Sequence, residues 1–157
     1  MLSPLTLLVV VATAFNGILA GASLDQSIKQ LPARHKTGVV AYSAYSQASD
    51  LGNGIAWYAI LGVGAALLTI IAALIAFFQG SGVPSAVPIY IAAVLSILHS
   101  LMTTQAAPTL FSQRRHPQDE AALREIFNRF ERWQTLRAFF QVLTFGALLW
   151  AIATYIR

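Results

Sequence analysis

Charge-free stretches dominate the chain. From Met1 to Leu24, from Leu51 to Ala107 and from Ala138 to Ile156 there is no Asp, Glu, Lys or Arg. A helix needs about 20 apolar residues to cross the hydrocarbon core of a bilayer. The pattern therefore predicts spans at about 2–24, 51–79, 85–107 and 133–156. The stretch Leu51 to Gln79 is long enough for one tilted span and too short for two, and Gly80-Ser81-Gly82-Val83-Pro84 reads as the tight turn that follows it. Pro108 is expected to close the third span. The predicted fold is all-α, an integral membrane four-helix bundle forming one transmembrane domain, 1–157.

The polar stretches 25–50 and 108–132 are expected as loops. In the first, Pro32 divides two short segments, and Val39 to Tyr45 fits an interfacial helix or a strand, a choice that periodicity does not decide. In the second, Pro117 suits a first helical turn, and Leu123, Ile126, Phe127, Phe130 and Trp133 recur at helical spacing. Glu120 with Arg124, and Glu125 with Arg129, form i,i+4 pairs on the opposite face. This amphipathic helical segment is expected to be continuous with the last span, lying on the membrane surface or projecting from it. A secretory signal peptide competes for the first span, since Ala20-Gly21-Ala22 resembles a cleavage site. However, Met1 to Thr6 has no Lys or Arg, so the basic leader region is missing.

Composition agrees with a membrane chain: 57% of the 157 residues are hydrophobic and only 10% are charged. The ten Lys and Arg fall mostly in the two polar stretches and at Arg137, with Arg157 the remainder and none in the Gly80 to Pro84 turn. Basic residues collect on the cytoplasmic side, so the loops are expected there and both termini outside, in the inner (plasma) membrane. Trp133 would mark the inner interface of the last span, and Trp150 and Tyr155 the outer one. The basic excess follows from this rule and forms no continuous phosphate groove, which argues against nucleic acid. The absence of cysteine excludes disulfides, thiolate metal sites and cysteine nucleophiles.

Polar side chains within the spans are the candidates for chemistry, because each costs free energy unless it faces a partner or a cavity. They are Asn16, Asn53, His99, Gln105, Gln134, Arg137 and Gln141. At about 1.5 Å per residue, Asn16, His99 and Gln141 share a depth roughly 12 Å inside the charged boundary, with Asn53, Gln105 and Arg137 shallower. Ser96, His99 and Thr103 form one stripe, and Gln134, Arg137 and Gln141 another. A polar cavity open to the cytoplasm is expected, ringed by Trp57, Tyr58 and Trp133, with Asp25 and Asp50 at the rim as partners for Arg137.

A neutral His99 within a span is a candidate general base, and Arg137 would hold an anionic or phenolate oxygen or a lipid phosphate. The competing reading is interhelical hydrogen bonding for packing alone. No histidine or carboxylate spacing within a span suits a metal, and no Walker loop, GxGxxG or GxSxG motif occurs. No metal or cofactor is expected. Gly17 with Gly21, and Gly54, Gly62 and Gly64, are expected to let helices approach closely.

Asn16, Gly17 and Gly21, the run Asp50 to Tyr58, and Trp133-Gln-Thr-Leu-Arg137 together resemble a group of small four-helix membrane proteins of unknown function with anthrone oxygenase-like members. Ala107-Pro108-Thr109-Leu110 departs from the Pro-x-Asn element often found there. The resemblance implies cofactor-independent oxidation of a hydrophobic aromatic ligand. In that scheme His99 is the base, Arg137 and Gln141 stabilise the oxyanion, Asn16, Asn53 and Gln105 belong to the ligand site, and Trp57 packs on the rings. Residue chemistry alone favours a different function, an accessory or scaffold subunit contacting other membrane subunits or forming a homo-oligomer. Its docking element would be the amphipathic segment. Lipid or hydrophobic-ligand binding is the third alternative.

Overall fold

The computed structural model describes residues 3–155; the expected span ends at Leu2 and Ile156, and Arg157, lie outside them. Among the described residues there are four helices, each long and apolar enough to cross a membrane. The first runs Pro4–Thr37, the second Val39–Phe78, the third Val83–Ser112 with a 3-10 turn Gln113–Arg115, and the fourth Glu120–Tyr155. Ser3 caps the first helix by accepting the Thr6 N–H at 3.1 Å, and Pro4 takes a position where a missing N–H costs nothing.

The polar stretches expected as loops are themselves largely helical. Residues 25–50 extend the first helix, turn at Gly38 (φ +85°) and begin the second, so Val39–Ala48 is helix and not strand. Pro32 does not break the first helix. A π-helical turn, Gln26–Gln30, precedes it, and this widened ladder relieves the clash of the proline ring with the carbonyl four residues back. A second π-helical turn, Ser49–Asn53, interrupts the second helix at Gly52, whose ψ of −114° is non-helical. A Cβ on Gly54 would meet the Ser49 carbonyl oxygen at 2.6 Å, so the kink requires glycine there.

Two helix boundaries correct the sequence reading. The third helix continues through Pro108 to Ser112, with nearby Thr109 and Ser112 hydroxyls bonding carbonyls of the preceding turn at 2.8 and 2.6 Å. The fourth starts at Glu120, not at Pro117. Asp119 is the cap, its carboxylate accepting the Ala122 N–H at 3.0 Å, while Pro117 lies in the preceding turn. From Glu120 the helix is continuous to Tyr155, and its apolar stripe Leu123, Phe127 and Phe130 faces the core.

The helices run antiparallel in a ring, each packing on the helices before and after it and the fourth closing on the first. Helices of 32 to 40 residues are about 50 to 60 Å long, against roughly 30 Å of hydrocarbon. The bundle therefore extends well beyond the apolar slab, and the extension is the end bearing the charges. We call it the charged half, and the end at Gly80 the turn half. Each has its own core. Leu5, Val9, Ala72, Ile89, Ala92 and Leu148 belong to that of the turn half; Leu31, Tyr42, Leu110, Leu123, Phe127 and Phe130 to that of the charged half.

Candidate functional site

Between the two cores lies a cavity of about 440 Å³. The second helix supplies most of its wall, from Asp50 and Leu51 through Tyr58 and Gly62 to Leu67, and the third adds His99, Ser100, Thr103, Ala107, Leu110 and Phe111. The first contributes Leu19 and Gln26, and the fourth Phe130 and Arg137. Ile55, Val63, Leu67 and Phe111 line it and are also exposed, so the mouth opens between the second and third helices on the flank that faces lipid. The wall is predominantly apolar. The polar groups gather about Arg137, His99, Tyr58 and Gln26, whereas Val63, Ala66 and Leu67 extend the cavity toward the turn half.

Arg137 is 9% exposed, and its Nε has no hydrogen-bond partner. Among the described residues, no carboxylate lies within 4.0 Å of its guanidinium. Of the two carboxylates expected to offset it, Asp25 is engaged by Lys29 and by the Gln30 amide at 2.6 Å, away from the cavity. Asp50 does line the cavity, but it accepts from the Ser46 hydroxyl at 2.9 Å. Ser46 in turn takes a donor from Gln113 at 3.3 Å, and Gln113 accepts from Ser43 at 2.9 Å. Asp50 is thus anchored into a buried polar chain of the charged half.

His99 is 6% exposed, and its Nδ1 lies 3.1 Å from the main-chain oxygen of Arg137. A carbonyl can only accept, so Nδ1 carries the proton, and in the neutral ring Nε2 is left as an acceptor. The bond ties the two residues of the cavity that carry chemistry to one point, where the third and fourth helices meet.

The remaining expected site residues divide. Asn16 and Gln141 form a closed network away from the cavity: Gln141 Nε2 donates to the Asn16 side-chain and main-chain oxygens at 2.8 and 3.1 Å, and Asn16 donates to Thr69 at 3.0 Å and to the Ala12 carbonyl at 2.8 Å. Their hydrogen bonds join the first, second and fourth helices. His99, expected at the same depth, makes no bond with them. Asn53 and Gln105 are exposed and Trp57 is 53% exposed; none of the three lines the cavity. Gln105 instead borders a shallow polar groove with Glu125 and Arg129, which are not within 4.0 Å of each other; the Glu120–Arg124 pair stands at 3.3 Å.

Of the cavity's polar lining, Gln26 and Ser100 went unread in the sequence, while Gly62 and Phe130 were read there only as packing residues. Gln26 and Asp50 stand in the two π-helical turns, elements that recur at functional sites. Gly62 is the glycine whose missing side chain enlarges the cavity, since a Cβ there would meet nothing within 4 Å. Gly17 and Gly64, in contrast, are filled by Phe145 and Phe15, at 2.9 Å from their ideal Cβ positions. Gly21 has nothing within 4 Å. Among the described residues there is no group of three or more His, Asp or Glu placed to hold a metal ion. Compared with protein-family models, curated proteins and solved structures, the chain gives no match.

Proposed function

We propose that this multi-pass membrane protein binds a hydrophobic ligand taken from the bilayer through the opening between its second and third helices. The observation that carries this reading is the cavity itself: about 440 Å³, mostly apolar, with a mouth on the lipid-facing flank. Pockets of that size, apolar with a few convergent polar groups, suit small-molecule ligands. On the positive-inside rule the charged half lies in the cytoplasm of the plasma membrane, with both termini outside. The cavity's polar groups then sit near the inner headgroups and its apolar extension near the middle of the bilayer.

Two other readings weigh less. The accessory-subunit reading relied on the amphipathic segment as a docking element and on small-residue faces for partner helices. Leu123, Phe127 and Phe130 are spent on the protein's own core, and Gly17 and Gly64 on its own phenylalanines. The oxygenase-like reading keeps His99 and Arg137 on one cavity, an acceptor nitrogen beside a cation, as deprotonation of an acidic ligand carbon requires. It loses direct ligand contact from Gln141, Asn53, Trp57 and Gln105. Binding is the step both cavity readings share.

Native mass spectrometry of the protein released from mild detergent tests the proposal. The wild type is expected to retain a small hydrophobic molecule, and Gly62→Leu, which adds a side chain to the cavity wall where a Cβ meets nothing within 4 Å, to retain less of it. Stoichiometric protein partners with no retained small molecule, or equal retention by Gly62→Leu, would refute the binding reading.

A further inference from the structure

We infer that the ligand is an amphiphile whose polar end is an anionic oxygen group, a carboxylate or a phosphate, held by Arg137, with its hydrocarbon directed toward the turn half. The inference deepens the binding reading above and rests on it.

The first support is Arg137, a guanidinium more than nine-tenths buried, lining the cavity, without a carboxylate within 4.0 Å and with its Nε unpartnered. Arginine keeps its charge in such surroundings, and its planar fork matches carboxylate and phosphate oxygens. A buried cation without a partner is costly, so an anionic ligand has its largest gain at this point.

The second support is that the local anion is committed elsewhere. Asp50 shares the cavity but is tied to Ser46, and through Ser46 to Gln113 beyond the third helix. It faces Arg137 across the cavity at more than ion-pair distance.

The third is the sense of the cavity. Arg137 lies on the fourth helix 18 residues from its turn-half end at Tyr155, about 27 Å. Leu67 is 11 residues from the end of the second helix at Phe78, about 16 Å. The cation thus stands near one boundary of a roughly 30 Å hydrocarbon core, and the apolar extension reaches its middle. A chain anchored by its acidic end at Arg137 keeps its hydrocarbon against Val63, Ala66 and Leu67. The free Nε2 of His99 offers an acceptor beside the cation, suited to a protonated oxygen of the same head group.

The test uses the full chain in phosphatidylcholine nanodiscs doped in turn with oleate, palmitoyl-oleoyl phosphatidic acid or oleyl alcohol, with retention read by native mass spectrometry. Wild type is expected to retain an anionic probe over oleyl alcohol by about tenfold or more, the scale of one charge-assisted hydrogen bond. Arg137→Gln is expected to bring the probes within about twofold of one another, Arg137→Lys to keep part of the preference, and Gly62→Leu to weaken retention of all three. Preference for oleate identifies a free carboxylate as the source, and preference for phosphatidic acid a lipid phosphate; either supports the inference. Equal retention of oleate, phosphatidic acid and oleyl alcohol by wild type, or a preference that survives Arg137→Gln, overturns the anionic assignment while leaving the cavity reading intact. Retention of none, or retention untouched by Gly62→Leu, overturns the binding reading and this inference with it. Should Arg137→Gln fail to fold, Arg137→Lys against wild type carries the test. An unchanged ranking and strength of retention in Arg137→Lys would overturn a role for the guanidinium.

Discussion

The turn half and the charged half are built from the same four helices and packed in opposite ways. In the turn half the contacts are made by small side chains, Ala12, Ala72, Ala76, Ala92, Ala147 and Ala151, with Leu and Ile filling the gaps. Small residues let backbones approach where lipid supplies no hydrophobic drive between helices. In the charged half large side chains hold the helices together: Tyr42 meets Phe127 edge-on at 4.9 Å, and Phe130, Leu110 and Leu123 pack around them. Arg34 is buried there too, bonded to Glu131 at 2.7 Å and Asn128 at 3.2 Å. Where spacing by alanine gives way to spacing by phenylalanine, the second and third helices part, and the two π-helical turns stand beside the gap. The cavity is the seam between two packing regimes.

The largest effect that sharpens this contrast is expected from Phe127→Ala. Removing the fully buried ring should cost about 3 to 5 kcal/mol, and the loss should appear as early melting of the charged half in hydrogen exchange while the turn half stays protected. Uniform loss of protection would mean that the halves are one cooperative unit. Next is Ala72→Leu, which overfills a position with no exposed surface and should cost about 1 to 3 kcal/mol, read as a lowered melting temperature in detergent. A smaller loss is expected from Asn16→Leu, which severs the amide links to Gln141 and Thr69 and should cost about 1 kcal/mol with ligand retention preserved. Lost retention in a folded Asn16→Leu would return Asn16 to the binding site. The smallest is expected from Gly62→Leu, which adds at least as much bulk at the cavity as Ala72→Leu adds in the core and should leave the melting temperature nearly unchanged. Similar losses for Ala72→Leu and Gly62→Leu would remove the distinction between seam and core.

The four spans were legible because, Arg137 apart, charge is excluded from them, and a hydrocarbon slab admits few alternatives. The helical character of 25–50 was not. Pro32 read as a break, whereas a π-helical turn absorbs it, and a single residue of positive φ, Gly38, turns the chain between the first two helices. Depth along the helices was estimated usefully, but facing was not. Gln105 lies six residues beyond His99, about 120° around the helix from it, and so points away from the cavity that His99 lines. Trp57 falls outside the face formed by Ile55, Tyr58, Ala59 and Gly62. Asn16 and Gln141 are buried as read, yet their hydrogen bonds run to each other and to Thr69 and Ala12, and neither lines the cavity. Gln26 was out of reach for a different reason: π-helical turns rotate the side chains that follow, and no local composition announces them.

Photolabelling with a diazirine fatty acid in nanodiscs, with and without excess oleate, tests the central claim most directly. Lipid-facing positions will take label in either case; the claim concerns the labelling that oleate competes away. The account predicts that this fraction maps to the cavity wall, to Ala59, Gly62, Ala66, Thr103 and Ala107, and falls in Gly62→Leu. Labelling that oleate does not reduce, spread evenly along the outer faces of the helices, would contradict it.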